Sequence, residues 1–375
     1  MIKIDGKFNT TKIFTKNSIE KEAEDQIKKI LDQEIFAGSS IAIMPDVQSG
    51  KGCVIGLTMT LGKYIVPNLI GVDIGCGVLA IKLGKEKINF EKLDNFIRSH
   101  IPYGFDINDK KTKVDPKFEE KIIKVSSIIG TEADRVLKSI GSLGGGNHFI
   151  EIDIDENEEY WLLIHSGSRN FGLKVAEFYQ KKASEYVKKN GINVPRDLEF
   201  LPIEKGGNEY IDSMKVAQEM AKENRLTMAK RITEKFLNKN MKECKVIESV
   251  HNYIDFNDNI IRKGAISAQR GKELIIPFNM RDGAIIGIGK GNKEYNFSAP
   301  HGAGRKMSRN KAKQTINIDD FKKSMIGIYS TCISKRTIDE APHAYKDTNE
   351  ILSRIDETVE IKLRLKPVYN FKAPE

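Results

Sequence analysis

Six short segments of the chain show either the alternation of hydrophobic and polar residues or the short apolar run that is typical of β-strands. Alternation is clearest over residues 359–365, where Val359, Ile361, Leu363 and Leu365 share one face of an extended chain. The other five segments are residues 40–44, 78–83, 149–154, 160–164 and 246–255. The pattern therefore predicts strands along most of the chain.

A helical period is clearest in one long stretch, residues 210–236. Its hydrophobic residues recur at intervals of three and four positions or their sums, and lysines and glutamates fill the opposite face. They are Tyr210, Met214, Ala217, Ala221, Met228, Ile232 and Phe236. We expect an amphipathic helix packed on the protein's own core, without a chemical role. Since no repeat or Pro/Ser-rich linker divides the chain, the sequence predicts one large α+β domain over residues 1–375.

Composition adds a preference for polyanionic partners. The 375 residues are 39% hydrophobic, enough for a sizeable core, and they carry a net charge of +9 with a pI near 9.1. A basic surface favours nucleic acid as a partner, although charges spread along the chain are equally typical of a well-solvated surface. The four cysteines form no CxxC pair, and we expect a reducing, cytoplasmic location.

The most apolar stretch, residues 64–81, carries a single charge, Asp73. Pro67 and three glycines interrupt it, so we expect buried strands that meet at a tight turn and no membrane span. The turn, residues 71–77, holds Asp73 and Cys76, and its glycines allow both side chains to enter one cavity. A thiolate and a carboxylate together with imidazoles favour manganese, iron, zinc or cobalt, and sulfur is able to bridge two ions. The alternative for Cys76 is an inert buried thiol.

Four of the six histidines stand beside glycine, asparagine or serine: His148, His165, His251 and His301. Residues 155–158 read as a hairpin loop, and pairing Ile154 with Tyr160 or Glu159 brings His148 and His165 to the same open end of the hairpin. The alternative is that these two strand-end histidines never meet. We expect the two remaining histidines, His100 and His343, to be ordinary surface residues.

The fourth histidine begins the segment His-Gly-Ala-Gly-Arg, residues 301–305. Glycines allow the backbone to approach an oxyanion, and Arg305 is able to bind a phosphate in a bidentate manner. A histidine beside a triphosphate can attack phosphorus and form a phosphoramidate. A plain turn would use the same glycines, and the chain has no Walker loop.

Taken together, these motifs resemble the RtcB family of RNA ligases, in order and across most of the chain. A lysine near the C-terminus completes the set. The other motifs are 44–47 (Met-Pro-Asp-Val), 71–78 (Gly-Val-Asp-Ile-Gly-Cys-Gly-Val), 143–151 (Leu-Gly-Gly-Gly-Asn-His-Phe-Ile-Glu), 165–169 (His-Ser-Gly-Ser-Arg), 251–252 (His-Asn), 262–265 (Arg-Lys-Gly-Ala), 301–305 and 340–346 (Glu-Ala-Pro-His-Ala-Tyr-Lys).

The resemblance implies β-sheets surrounded by helices, with a central cleft for metal and nucleotide. Cys76 would bridge two manganese ions, one completed by Asp73 and His148 and the other by His165 and His251. His301 would be the nucleophile that attacks the α-phosphorus of GTP, with Asp46 orienting its ring. The other implied contacts are Asn147 at the guanylate phosphate, Ala303 and Gly304 at the nucleotide, Tyr345 stacked on guanine, Glu151 and Lys372 at the base edge, and Arg169, Arg262, Lys263 and Arg305 on the RNA backbone.

The implied reaction has three steps: guanylylation of His301, transfer of GMP to an RNA 3′-phosphate, and attack by a 5′-hydroxyl that releases GMP. A 2′,3′-cyclic phosphate end would first be hydrolysed, and an activating protein is a further partner that the resemblance allows. Four places depart from the usual motifs: Gln48, Leu79, Ile261 and residues 277–283. They indicate a divergent branch whose substrate is damaged or nicked RNA rather than tRNA halves.

Two other functions fit the same residues. One is a metal-dependent RNA phosphodiesterase or cyclic-phosphate hydrolase, and the other is an RNA-binding relative with a degenerate catalytic set. Both predict that no nucleotide becomes covalently bound to the protein.

Overall fold

Seventeen strands lie in the part of the chain that the computed structural model describes, residues 1–15 and 19–373. They form a six-stranded sheet, a seven-stranded sheet and two short two-stranded ribbons. The strands are β1 (Ile2–Asp5), β2 (Thr10–Ile13), β3 (Ile41–Gln48), β4 (Ile55–Thr60), β5 (Tyr64–Ile65), β6 (Gly77–Gly84), β7 (Phe149–Ile154), β8 (Tyr160–Ser166), β9 (Leu201–Pro202), β10 (Val246–Val250), β11 (Asn252–Asp255), β12 (Ile260–Lys263), β13 (Ala265–Ser267), β14 (Glu273–Asn279), β15 (Gly283–Gly289), β16 (Ser298–Pro300) and β17 (Val359–Lys372).

Helices lie between and outside the sheets. Within the described residues they are α1 (Lys21–Leu31), α2 (Phe90–His100), α3 (Pro116–Ile129), α4 (Ala133–Ser139), α5 (Arg169–Lys189), α6 (Asn208–Lys230), α7 (Arg309–Thr315), α8 (Ile318–Ser324) and α9 (Thr348–Ile355). α5 packs against α6, and α6 packs against β8. The α+β class and the sheets with surrounding helices are confirmed. No helix of the described residues has the length and apolarity needed to cross a membrane.

The predicted amphipathic helix is confirmed as α6. Tyr210, Met214 and Met228 are fully buried on the face that the spacing indicated. A π-helical segment, Arg231–Phe236, continues α6 and keeps Ile232 in the core. Burial of this apolar stripe against β8 and α5 holds the helix in place.

The seven-stranded sheet, in the order β10–β6–β8–β7–β17–β15–β14, curls until its two edges meet. At the junction the backbone N–H of Ile275 in β14 donates to Oγ of Ser249 in β10, at 2.9 Å. Val78, Trp161 and Ile286 belong to the apolar cluster that this sheet encloses. The result is a near-barrel, and its open end faces the six-stranded sheet, whose order is β1–β2–β3–β4–β12–β11.

The predicted hairpin and the predicted turn are both confirmed. Ile154 pairs with Tyr160, which is one of the two registers considered. In the apolar stretch 64–81, β5 and the start of β6 are joined through the glycine-rich turn, and that stretch is largely buried. The turn brings Asp73 and Cys76 to the open end of the near-barrel.

One strand prediction is wrong. Residues 246–255 form two strands, β10 and β11, which belong to different sheets and meet at His251. The backbone N–H of His251 donates to the carbonyl of Cys76, and its own carbonyl accepts from Gly264. The hydrophobic pattern does not reveal the break, because buried residues occur in both strands, Ile247 and Ser249 in β10 and Ile254 in β11, and the pattern carries no information about the partner strand.

Candidate functional site

Five side chains from distant parts of the sequence converge at the open end of the near-barrel. The Sγ of Cys76 lies 3.5 Å from Nε2 of His148 and 3.2 Å from Nε2 of His165. Oδ2 of Asp73 is 3.0 Å from Nε2 of His148, and Nε2 of His251 is 3.3 Å from Nε2 of His165. We call these five residues the Cys–His cluster. The ligand atoms of Cys76, His148 and His165 all lie within 4.8 Å of one another, a spacing suited to a metal ion.

The hairpin places two of these ligands, although not as a direct cross-strand pair. His165 lies in β8 opposite Phe149, and His148 precedes the first residue of β7. Nδ1 of His165 donates to the carbonyl of Asn147 at 3.1 Å, which directs Nε2 toward Cys76. Gly167 is required nearby, because a Cβ at this position would lie 2.1 Å from Oδ1 of Asp73.

The electrostatics of the cluster favour metal ligation. Burial, reinforced by neighbouring cationic groups, lowers the pKa of His165 and of His251 well below the ordinary value. Both rings are therefore neutral near pH 7, the form that binds metals. Burial and the adjacent Asp73 carboxylate raise the pKa of the Cys76 thiol well above its usual value. A cation at the cluster would reverse that effect and hold the thiolate, so this donor set fits a metal ion.

His301 lies beside the cluster and is held by a buried carboxylate. Its Nδ1 is 2.6 Å from Oδ2 of Asp46, and its backbone N–H donates to the same oxygen at 3.1 Å. Asp46 is fully buried in β3, so the ring is held with Nε2 as its free nitrogen. The ring centroids of His301 and His251 are 4.8 Å apart. At Gly304, a Cβ would lie 2.4 Å from the carbonyl oxygen of Asp46, so only glycine allows this approach.

A cavity of about 310 Å³, which we call the first cavity, joins His301 to the cluster. Every residue that the resemblance assigns to the nucleotide lies in its wall. These residues are Asn147, Glu151, Ala303, Gly304, Tyr345 and Lys372. Nζ of Lys372 donates to the carbonyl of Asn147 at 3.1 Å, and burial raises the pKa of Glu151 to about 7.

Glu340 also lies in the wall of the first cavity, although the sequence did not predict a role for it. Lys372 donates to its carboxylate at 2.8 Å, Tyr345 at 2.7 Å and Arg305 at 3.1 Å. Burial works to raise the pKa of Glu340, but Lys372, Arg309 and Arg305 outweigh it and lower the pKa to about 2. The ionised carboxylate holds three of the side chains that face the cavity. The position of Glu340 at the start of the motif 340–346 is the sequence feature that could have indicated its role.

Two of the four side chains predicted to contact RNA are buried in the protein interior. Arg262 is fully buried, 2.6 Å from Asp258 and 3.3 Å from Asp255. Lys263 is also buried, and its Nζ donates to the carbonyls of Lys51, Cys53 and Asn68. Charge in a sequence does not show whether a side chain is buried, and these two side chains tie together the six-stranded sheet and the loops beside it. Arg305 does line the first cavity, and Arg169 lines a second cavity of about 550 Å³.

Replacing Arg262 with alanine is expected to lower the free energy of unfolding by about 3 to 5 kcal/mol, because a buried guanidinium is lost and two carboxylates with side chains only 11% exposed lose their partner. Urea unfolding followed by circular dichroism measures the effect. The exposed Arg270 is the matched control, and Arg270→Ala should change stability by no more than about 0.5 kcal/mol. Unchanged stability in Arg262→Ala, with weaker RNA binding, would restore the original assignment.

The four departures from the usual motifs do not remove a cluster ligand or His301. Oε1 of Gln48 accepts the backbone N–H of Arg305 at 2.8 Å, at the edge of the first cavity. Leu79 and Ile261 are buried in β6 and β12. Residues 277–280, at the end of β14, form part of the cavity wall.

Comparison with known proteins gives the following similarities. The family model described as tRNA-splicing ligase RtcB matches residues 26–373. The RNA-splicing ligase RtcB of Escherichia coli K12 is 31% identical over 398 aligned positions, covering 95% of this chain and 96% of the relative. The tRNA-splicing ligases RtcB of Nanoarchaeum equitans and Thermococcus kodakarensis are each 26% identical, covering 83% and 87% of this chain and 83% and 86% of the respective relatives.

Proposed function

The chain belongs to the RtcB family, and from that membership we propose that it is a GTP- and manganese-dependent RNA ligase acting in RNA repair or tRNA splicing. It would join an RNA 3′-phosphate or 2′,3′-cyclic phosphate end to a 5′-hydroxyl end. The observation that carries the proposal is the placement of His301, oriented by Asp46, with its ring 4.8 Å from the ring of His251 in the Cys–His cluster. We further propose that residues 1–375 act as one catalytic domain.

In the first step, Nε2 of His301 attacks the α-phosphorus of GTP. A nitrogen–phosphorus bond forms, and the bond from that phosphorus to the pyrophosphate oxygen breaks. Asp46 holds the ring proton on Nδ1, so the other nitrogen presents its lone pair. The backbone at Ala303 and Gly304 lies in the cavity wall, where its N–H groups are suited to phosphate oxygens.

The proposed manganese ions would be held by the five residues of the Cys–His cluster: Asp73, Cys76, His148, His165 and His251. When bound, the ions would supply Lewis-acid polarisation of phosphoryl oxygens. The neutral imidazoles and the buried thiol provide the donors for them. Asn147 holds His165 through its carbonyl and contributes to the wall of the first cavity, where it is suited to contact the guanylate phosphate.

In the later steps, an oxygen of the RNA 3′-phosphate attacks the phosphorus of the histidine-bound GMP, and the bond to Nε2 breaks. The 5′-hydroxyl of the second strand then attacks the RNA phosphorus and displaces GMP. Arg305 lines the cavity in which these phosphates would lie. We also propose damaged or nicked RNA as the substrate of this divergent branch, in which residues 277–280 depart from the usual motif and line the cavity.

The proposed guanine pocket predicts a dependence on pH. Tyr345 would stack on the base, and Lys372 and Glu151 would face its edge. An ionised Glu151 is able to accept hydrogen bonds from guanine N–H groups, whereas the protonated acid loses acceptor capacity. Because burial raises the pKa of Glu151 to about 7, the carboxylate form predominates only above that pH.

The KM for GTP in guanylylation should therefore be about tenfold lower at pH 8 than at pH 6, because the ionised fraction of Glu151 rises by about that factor. Initial rates of labelling across this range measure it. Glu151→Gln should remove this pH dependence of KM, while Glu86→Gln, an exposed glutamate, should retain it. A wild-type KM that does not change with pH would contradict the role of Glu151.

The function is tested by incubating the protein with manganese, GTP radioactive at the α-phosphate, and RNAs that carry 3′-phosphate and 5′-hydroxyl ends. We expect a joined RNA and a labelled protein whose bond to GMP is stable in base and labile in acid, as for a phosphoramidate. An unlabelled protein that opens a cyclic phosphate would indicate the phosphodiesterase. An unlabelled protein that only binds RNA would indicate the degenerate relative.

A further inference from the structure

The buried face of α6 carries two polar side chains, Asn224 and Arg225, among its apolar residues. Both are fully buried. The spacing of hydrophobic residues predicted a helix that only packs on the core, yet burying an arginine is costly, because its charge loses its hydration. A buried arginine on such a helix needs partners, and the structure supplies them from the segments that carry the Cys–His cluster.

Arg225 binds three separate segments of the chain at once. Its Nη1 donates to the carbonyl of Gly75 at 2.8 Å and to the carbonyl of Ser166 at 2.6 Å. Its Nε and Nη2 donate to Oε1 of Glu248 at 3.0 and 2.8 Å. The planar guanidinium fixes the distances and angles between these three acceptors, which the compact ammonium group of a lysine cannot do.

Each of the three segments carries a ligand of the Cys–His cluster: Gly75 adjoins Cys76, Ser166 adjoins His165, and Glu248 lies three residues before His251. Arg225 binds groups beside the ligands and leaves the donor atoms of the ligands free for a metal ion. A displaced guanidinium would therefore change the spacing of the ligands without removing any of them.

Asn224 extends the same contacts to a fourth segment. Its Nδ2 donates to Oγ of Ser166 and to the carbonyl of Gly167, both at 3.0 Å. Its Oδ1 accepts the backbone N–H groups of residues 141 and 142, at 2.7 and 3.0 Å. The amide thus joins the end of β8 to the loop that leads toward His148.

The turn 71–77 lies directly on α6. At Gly75, which has φ +74°, a Cβ would lie 2.9 Å from Cα of Gln218 in the helix. Glycine is required here, because a side chain would push the turn away from α6 and from Arg225. The positions of Asp73 and Cys76 relative to the other ligands are therefore tied to the helix.

Resting on the metal site of the proposed function, we propose that Asn224 and Arg225 are positioning residues that preorganise the Cys–His cluster for its metal ions. They act through the segments on which the five ligands lie. Because these segments are already held in place, metal binding does not have to order them, and the affinity for the metal is higher. The helix that the sequence analysis left without a chemical role would thereby set the geometry of the metal centre.

Arg225→Lys provides the sharpest test, because lysine keeps the positive charge beside Glu248 and loses only the planar fork. The metal-free protein is titrated with cobalt, followed by calorimetry and by absorption. Cobalt affinity should fall about 10- to 100-fold, the usual effect of losing a group that orients metal ligands. The absorption bands of thiolate-bound cobalt should also shift, because they report the arrangement of ligands around the ion. A purely structural role would not move these bands.

Arg98→Lys is the matched control. Arg98 also pairs with a carboxylate, that of Asp94 at 2.7 Å, and it lines neither cavity. Its replacement should leave cobalt affinity and absorption unchanged. Glu248→Gln is a second, milder variant, in which the guanidinium loses its charged acceptor. It should give the same shift of the bands with a smaller loss of affinity, and it keeps the test available if Arg225→Lys does not fold.

Near-ultraviolet circular dichroism identifies the folded variants. Wild-type cobalt affinity and absorption in folded Arg225→Lys and Glu248→Gln would overturn the positioning role. Lower stability toward urea with normal cobalt binding would overturn it as well, because the two side chains would then serve the fold alone. A wild-type protein that binds neither cobalt nor manganese would instead refute the metal site of the proposed function, and the proposal with it.

Discussion

Replacement of His301 by alanine is expected to abolish covalent labelling of the protein by GTP radioactive at the α-phosphate. The imidazole is the group that would form the bond to phosphorus, and a methyl group cannot replace it. Metal content should stay at the wild-type level, because His301 is held by Asp46 and not by the ligands of the Cys–His cluster. Gel autoradiography after denaturation measures the label, and elemental analysis measures the metal.

His100 provides the matched control for this result. It lies exposed at the end of α2, stacked on Phe96, and His100→Ala should be labelled normally. Asp46→Asn should give an intermediate result, with labelling slowed by about 10³ to 10⁴, because the ring loses the carboxylate that holds its proton on Nδ1. Covalent labelling of His301→Ala would show that another residue is the nucleophile and would contradict the proposed mechanism.

Replacement of Cys76 by alanine is the second change with a large expected effect. Its sulfur lies within 3.5 Å of both His148 and His165, so its loss removes the donor at the centre of the cluster. Manganese affinity should fall by at least about a hundredfold, and labelling by GTP should disappear with it. Calorimetric titration of the metal-free protein with manganese measures the affinity.

Cys332→Ala serves as the control for the loss of a buried thiol. Cys332 belongs to a core cluster near Arg98 and lines neither cavity, so its removal should leave manganese affinity unchanged. Near-ultraviolet circular dichroism should show that both variants are folded. Equal manganese content in wild type and in folded Cys76→Ala would contradict the bridging role of the thiol.

The sequence predicted the strands and helices in which hydrophobic residues recur at a regular spacing and lie on the buried face. The alternation over residues 359–365 is seen in β17, where Val359 and Leu365 are buried and the charged residues between them point outward. The same strand continues to Lys372 as it changes partner from β15 to β7. Periodicity did not predict this extension, because residues 369–371 are buried consecutively and show no alternation.

The hairpin of β14 and β15 was also missed. Pro277 lies within β14, and β15 begins and ends with glycine, residues that weaken any strand assignment from sequence alone. The contact of β14 with β10 forms only when the seven-stranded sheet curls, so it depends on tertiary structure. No local pattern records it.

For the candidate site, motif order was more informative than charge. The Cys–His cluster, His301 and Asp46 converge as the motifs implied, because each lies next to a glycine turn or a strand end that the sequence displays. The burial of Arg262 and Lys263 was not predicted, because it depends on Asp255, Asp258 and backbone carbonyls that fold around them. Glu340 was overlooked because its role depends on cations brought together only by the fold.

His251 stands where the chain crosses from one sheet to the other, and this position has a diagnostic consequence. The remaining Cys–His ligands belong to the seven-stranded sheet or to the turns beside it, while Asp46 is anchored in the six-stranded sheet. Under the proposed function, a lesion that shifts the sheets relative to each other would leave Asp73, Cys76, His148 and His165 able to hold metal while Asp46 no longer holds His301 beside them. Measurement of metal content would then not reveal the defect, and only an activity assay would detect it.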